Sequence, residues 1–147
     1  WLHLRSAKTG QMVPLAEEVE FIRAWLDIQQ ARFGDRLSVL IDVPPLALER
    51  RIPAMMLQTM VENAVKHAVA RTARACHVAI RADISETALR LSVTDDGPGF
   101  SNAAADSGHG LRNARQRLAG YYGERARLTL ERDDDAGKTV ATLEIPL

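Results

Sequence analysis

Four polar side chains in one short stretch carry much of the chemistry that this sequence offers: Thr59, Asn63, Lys66 and His67. At about 100° per residue they cluster on one side of a helix, while Leu57, Val61, Ala64, Val65 and Ala68 fall on the other. An amide oxygen suits Mg²⁺ and an ammonium suits phosphate, so Asn63, with Lys66 and His67 one turn on, makes a candidate metal-and-phosphate surface. The plain alternative is the solvated face of an ordinary amphipathic helix. A second signal is Asp95, which period-two alternation carries onto the same inward face as Leu89, Leu91 and Val93. A carboxylate at the buried end of a strand is costly unless something donates hydrogen bonds to it. Asp96-Gly97-Pro98-Gly99-Phe100 follows at once, and its two glycines permit a tight turn and a close approach of ligand to backbone.

The elements that must position these groups can be read in order. Residues 1–14 have weak periodicity, with Gly10 and Pro14 as breakers. Leu15, Val19, Ile22 and Leu26 then make a helical stripe, broadened by Phe21, Trp25 and Ile28, with Glu17, Glu18 and Glu20 in the first turns and Gly34 placed to end it. Leu37, Val39, Ile41 and Val43 alternate as a strand that Pro44-Pro45 stops. Pro53 suits the first turn of the central helix, over about 53–69. Cys76, Val78, Ile80, Ala82 and Ile84 alternate, a turn around Ser85-Glu86 intervenes, and Leu89, Leu91 and Val93 alternate again, as in a hairpin with one buried face. Residues 101–110 are small, polar and aperiodic and read as a mobile loop. They lead into a helix from Leu111 to Gly120, fed by Gly108 and Gly110, whose free N–H groups suit an anion. Two strands close the chain, one with Leu128 and Leu130 and the other with Ala141, Leu143 and Ile145, with Thr139 on that same inward face.

Composition narrows the function classes. At 147 residues and 46% hydrophobic, the chain can bury a real core. Lys plus Arg and Asp plus Glu number 19 each, so no global field attracts nucleic acid or an anionic membrane. Cys76 is the sole cysteine, which leaves no disulfide or thiolate metal cluster to form and fits a reducing, cytoplasmic setting. No apolar run approaches the ~18 residues of a membrane span, so direct membrane contact is not expected of this part. Because it opens on Trp1 rather than Met, the chain reads as a piece of a longer protein.

Two motifs mislead. Gly137-Lys138-Thr139 looks like the end of a phosphate-binding P-loop, but the required earlier glycine is Arg132 and no helix follows. Gly108-His109-Gly110-Leu111-Arg112-Asn113 approaches the dinucleotide fingerprint, yet its last glycine is Asn113 and it follows a loop rather than a strand. What remains is an ordered set: a helix bearing Asn63, a strand ending Asp95-Asp96-Gly97-Pro98-Gly99, a loop entering a helix through Gly108-His109-Gly110-Leu111, and a strand carrying Thr139.

That order and spacing resemble the Bergerat-fold (GHKL) ATPases, shared by gyrase, heat-shock ATPases, mismatch-repair ATPases and sensor histidine kinases. Among these the chain is most similar to the histidine kinase catalytic domain of the LytS/YehU type, through Val13-Pro14-Leu15, Glu17-Glu18-Val19-Glu20 and the run Ala31-Arg32-Phe33-Gly34-Asp35-Arg36-Leu37. The resemblance implies ATP and Mg²⁺ as cofactors. It implies that Asn63 coordinates Mg²⁺, that Lys66 neutralises phosphate oxygen and that His67 lines the site beside them. Asp95 would accept the adenine amino group, and Gly97 and Gly99 would let the purine lie against backbone. Gly108, Gly110, Leu111 and the helix start would cap the phosphates as a lid, and Thr139 would sit beside the adenine pocket. Two departures stand out: Asp106 occupies a lid position where the family often has glycine, and Thr59 stands where hydrolysing members carry a water-activating glutamate.

Phosphoryl transfer needs an acceptor. His3 lies in the ragged start, His77 on the outer face of a strand, His67 in the site and His109 in the lid, and none has the helical setting of the family's acceptor motif. The fold expected is therefore a two-layer α/β sandwich, a mixed and mostly antiparallel sheet covered on one face by helices near 15–33, 53–69 and 111–121. Residues 1–36 resemble the tail of the dimerisation and phosphoacceptor region, and residues 37–147 the ATP-binding catalytic domain. The implied function is transfer of the ATP γ-phosphoryl to a histidine elsewhere in a parent sensor kinase and thence to a response regulator. The implied parent is a homodimer anchored in the bacterial inner membrane. The rivals are an ATP-hydrolysing enzyme of the same fold and a non-catalytic nucleotide-sensing module.

Overall fold

The computed structural model describes residues 11–69, 73–98 and 109–147, with the main chain alone at His109. Its elements are β1 (Met12–Pro14), α1 (Leu15–Phe33), β2 (Leu37–Asp42), the one-turn α2 (Pro45–Leu48), β3 (Arg51–Pro53), α3 (Met56–His67), β4 (Cys76–Ile84), β5 (Ala88–Asp95), α4 (His109–Tyr122), β6 (Arg127–Asp133) and β7 (Lys138–Pro146). Five strands form one sheet in the order β2-β4-β5-β7-β6. The β2 and β4 strands run parallel, and the other neighbouring pairs are antiparallel. The short strands β1 and β3 pair as a separate antiparallel ribbon.

Alternation builds the layers. Cys76, Val78, Ile80 and Ala82 of β4, Leu89, Leu91 and Val93 of β5, and Ala141, Leu143 and Ile145 of β7 are buried. They share one cluster with Leu15, Val19, Ile22 and Leu26 of α1, Leu57, Val61, Ala64 and Val65 of α3, and Leu111, Ala114 and Leu118 of α4. Residues between them on the strands, such as His77, Arg81, Asp83 and Arg90, face outward and are exposed. Each large apolar side chain removed from water contributes about 1.5–3 kcal/mol, so this shared face fixes both the register of the strands and the side on which the helices lie. The result is the expected two-layer α/β sandwich with a mixed, mostly antiparallel sheet.

Several boundaries differ from the sequence reading. Pro53 is not in the first turn of the central helix but ends β3, where Val13 pairs with Ile52 and both are buried. The Ala54 N–H donates to the Gln11 carbonyl at 2.8 Å, which holds this ribbon past its last paired residue. The helix therefore begins at Met56, after Met55 at φ 68°, a left-handed conformation uncommon for a side chain of this size. At the other end α3 stops at His67 rather than near 69. The helix expected from Leu111 begins two residues earlier, so Gly110 lies inside its first turn. Ile28 does not broaden the buried stripe of α1; it is 65% exposed, because two residues beyond Leu26 is about 200° round the helix.

The far end of α1 is tied to the far end of α3. Gly34, at φ 60°, closes α1 with its N–H on the Gln30 carbonyl. Two residues on, the Arg36 guanidinium donates to the Val69 carbonyl at 2.9 Å and lies 5.5 Å from the Phe33 ring centroid. Among the described residues, no helix is long and apolar enough to cross a membrane.

Candidate functional site

Helix α3 forms a wall of the candidate site. Its apolar face, Leu57, Val61, Ala64 and Val65, is buried, whereas Thr59, Asn63 and His67 are half-buried and Lys66 is exposed. Asn63, Lys66 and His67 share one stripe because they are spaced three and four residues apart. The Thr59 hydroxyl donates back to the Met55 carbonyl at 2.8 Å, so it is committed to its own helix. The Glu62 carboxylate, next to Asn63, accepts from the Gln58 amide at 3.1 Å.

Two other segments abut this helix. A Cβ added to Gly110, in the first turn of α4, would meet the Thr59 methyl at 3.4 Å, which brings the start of α4 against the polar side of α3. A Cβ added to Gly97 would lie 2.4 Å from the Ala68 Cβ, so the turn after β5 touches the end of α3 main chain to main chain. The bond from the Arg117 guanidinium to the Ala54 carbonyl holds α4 to the approach of α3.

Asp95 is buried, as its alternation predicts, and pairs directly across β5 and β7 with buried Thr139. The Gly97 N–H donates to its Oδ1 at 3.1 Å. Burial pushes the Asp95 carboxyl up to about 6, against the lowering effects of the Gly97 N–H and the Arg132 charge. Among the described residues the Gly97 N–H is the hydrogen bond this carboxylate receives, which leaves acceptor capacity inside the fold for an incoming donor.

Asp96 points the other way. Its Oδ1 accepts the His77 N–H at 2.6 Å and its Oδ2 lies 2.8 Å from His77 Nδ1, while the Arg74 guanidinium donates to its carbonyl at 2.7 Å. Partial burial raises the Asp96 carboxyl, but the His77 N–H, ring and charge together outweigh it and hold it below its ordinary value. The His77 ring, 68% exposed on the outer face, thus ties the start of β4 to the residue after β5, at the end of the hairpin opposite its turn.

The structure groups Asn63, Lys66 and His67 on one helix and Asp95, Gly97 and Thr139 at one end of the sheet, and sets Gly110 against α3. Leu111 faces the core and is buried. Gly99, Gly108, Asp106 and the rest of the expected lid, together with His3, lie outside the described residues. One participant escapes the sequence reading: Arg132, which enters it only as a misfit in a false P-loop, donates to the Gly97 carbonyl at 2.9 Å and to Thr139 Oγ1 at 3.1 Å. A lone arginine in a charged strand end has no periodic signature, and only the register of β6 on β7 places it here.

Comparison with known proteins identifies the family and the fold. The family described as "Histidine kinase-, DNA gyrase B-, and HSP90-like ATPase" matches residues 49–147, and that described as "Histidine kinase" matches residues 2–37. Sensor histidine kinase BtsS of Escherichia coli is 32% identical over 139 residues, covering 95% of this chain and 25% of that protein. Sensor protein LytS of Enterococcus faecalis is 29% identical over 147 residues, covering 92% and 25%. The chain thus spans about a quarter of the length of these curated relatives. The catalytic domain of histidine kinase ThkA, in a nucleotide-free form, superposes with a TM-score of 0.67 at 16% identity, covering 92% of this chain and 94% of that one. ThkA solved in complex with the response regulator protein TrrA gives 0.66 at 15% identity, covering 92% and 41%. At such identities the likeness carries the fold, which is the Bergerat fold, while the family match extends over the whole site. The chain belongs to the histidine kinase-, DNA gyrase B- and HSP90-like ATPases.

Proposed function

We propose that this chain is the ATP-binding catalytic domain of a sensor histidine kinase, delivering the γ-phosphoryl of ATP to a histidine outside these 147 residues and thence to a response regulator. The observation that carries the reading is the buried Asp95 carboxylate, set beside Thr139 and two residues before Gly97, the glycine that abuts the end of α3. A buried acceptor left for a donor matches an adenine amino group, and Asn63 and Lys66 on the neighbouring helix supply an amide oxygen and a cation for the phosphate end. Among the described residues no three His, Cys, Asp or Glu side chains converge to hold a metal alone. A donor set of one amide oxygen fits a hard ion whose remaining ligands are phosphate and water, as is usual for Mg²⁺. That ion, when bound, neutralises charge on the phosphates; the chain's own part is to bind and orient, with Asn63 as a ligand, Lys66 as a phosphate counter-charge and His67 as lining.

Against hydrolysis in place of transfer stands the position one turn before Asn63, where a water-activating glutamate would be needed and this chain has Thr59, a hydroxyl engaged with Met55. The response regulator enters this proposal through ThkA, whose complex with TrrA shares the fold. Incubation with labelled ATP, alone and with a separately expressed acceptor segment of the parent kinase, tests the reading. Acid-labile label is expected on the acceptor segment and not on the chain alone. Label on the chain alone would place the acceptor within it, and label on neither would favour a nucleotide-sensing module.

A further inference from the structure

Asp95, Thr139 and Arg132 form a row across three strands on the inward face of the sheet: Asp95 pairs with Thr139 between β5 and β7, and Thr139 pairs with Arg132 between β7 and β6. The Arg132 Nη1 donates to the Gly97 carbonyl at 2.9 Å and to Thr139 Oγ1 at 3.1 Å, and its Nε donates to Asp134 Oδ1 at 3.1 Å. A guanidinium has donors and no acceptor, so the direction of the Thr139 contact is settled: the hydroxyl oxygen accepts. Its own proton is then left for a second acceptor. The same Nη1 pins the carbonyl of Gly97, whose N–H is already on Asp95, so both polar groups of that glycine are fixed.

We propose that Arg132 is a positioning residue for purine selection, holding Thr139 as a hydrogen-bond donor beside Asp95 as an acceptor so that the pocket favours 6-aminopurine over 6-oxopurine nucleotides. This rests on the nucleotide reading above. A 6-aminopurine offers an amino N–H and, on the adjacent ring atom, the acceptor N1, and this pair complements a carboxylate and a hydroxyl proton, directly or through one water. A 6-oxopurine reverses both, with O6 as acceptor and N1–H as donor, and therefore sets acceptor against acceptor. Arg132 serves both halves, because its charge also favours the ionised form of Asp95. Asp134 steadies the guanidinium from outside, with its own side chain 90% exposed.

Titration calorimetry of the whole chain with ADP and IDP, on wild type, Arg132→Met, Arg132→Lys, Asp134→Ala and Thr139→Val, decides the matter. Wild type should prefer ADP, and Arg132→Met should lower the ADP-to-IDP affinity ratio roughly tenfold, the scale of one well-placed hydrogen bond. Arg132→Lys and Asp134→Ala should shift the ratio the same way by less, and they stand in if Arg132→Met fails to fold. Thr139→Val should reproduce the Arg132→Met ratio, and the double variant should add little to it. Equal loss of ADP and IDP affinity in the Arg132 variants, or independent effects of Arg132 and Thr139 on the ratio, would overturn the proposal while leaving adenine nucleotide binding in place. A wild type that binds neither nucleotide would remove the underlying reading as well.

Discussion

Gly97 and Ala68 meet backbone to backbone: a Cβ on Gly97 would lie 2.4 Å from the Ala68 Cβ and 2.6 Å from its Cα. Gly97 has no positive φ, so close approach rather than conformational freedom requires glycine here. The obstacle is backbone at the end of a packed helix and cannot swing aside. Gly97→Ala is expected to destabilise the ligand-free chain by about 1–3 kcal/mol, the usual scale of overpacking. Adding Ala68→Gly should relieve only part of this, since the clash with the main chain of residue 68 remains. Urea midpoints measure both, and an unchanged midpoint for Gly97→Ala would show that the turn has slack.

Burial raises the Asp95 carboxyl from 3.8 to about 6. Between those values the folded chain holds a proton that the unfolded chain has released, so stability falls as pH rises from about 4 to about 6 and stays lower above that. The shift corresponds to at most about 3 kcal/mol. Asp95→Asn should abolish this slope and melt higher than wild type at pH 7.5 while binding ATP and ADP more weakly. Parallel stability curves for the two proteins across that range would contradict the assignment.

Asn63 is half-buried on the polar side of α3, away from the apolar contacts that hold the helix. Asn63→Ala should therefore keep its melting temperature within a degree or two of wild type, as surface changes generally do. Mg²⁺ should strengthen ATP binding to wild type by roughly tenfold, a gain of about 1.4 kcal/mol, and should have no such effect on the variant. Persistence of the Mg²⁺ effect in Asn63→Ala would move the metal ligand elsewhere.

His77 is exposed and paired with Asp96. An exposed pair of this kind contributes under about 1 kcal/mol, so His77→Ala should fold with a small loss of stability. Phosphoryl transfer to a separate acceptor segment should continue at the wild-type rate. A variant that had lost transfer would make His77 part of the phosphoryl path.

The strands β4 and β5 and the helix α3 are legible in the sequence because one face of each is uniformly apolar, and the inward placing of Asp95 and Thr139 follows from counting by twos. Met12–Pro14 and Arg51–Pro53 are too short to show a period, so their pairing leaves no signal and Pro53 reads as a helix start. Arg132 is hidden for a different reason. Its partners are the Gly97 carbonyl and the Thr139 hydroxyl, and bonds of that kind depend on strand register and leave no mark in residue type.

The left-handed Met55 has a kinetic consequence. Its carbonyl receives both the N–H and the hydroxyl of Thr59, so the first turn of α3 needs Met55 in a conformation that a free chain seldom visits. The groups that hold the preceding residue there come from far along the chain: Gln11 accepts the Ala54 N–H, and Arg117 donates to the Ala54 carbonyl. A helix whose start depends on such distant partners cannot nucleate there alone, and loop closure must come first. The opening turn of α3 is therefore expected to assemble after the transition state for folding. Thr59→Val, which removes the hydroxyl bond to Met55, should accelerate unfolding and leave the refolding rate nearly unchanged; a slowed refolding limb would show that the turn belongs to the folding nucleus.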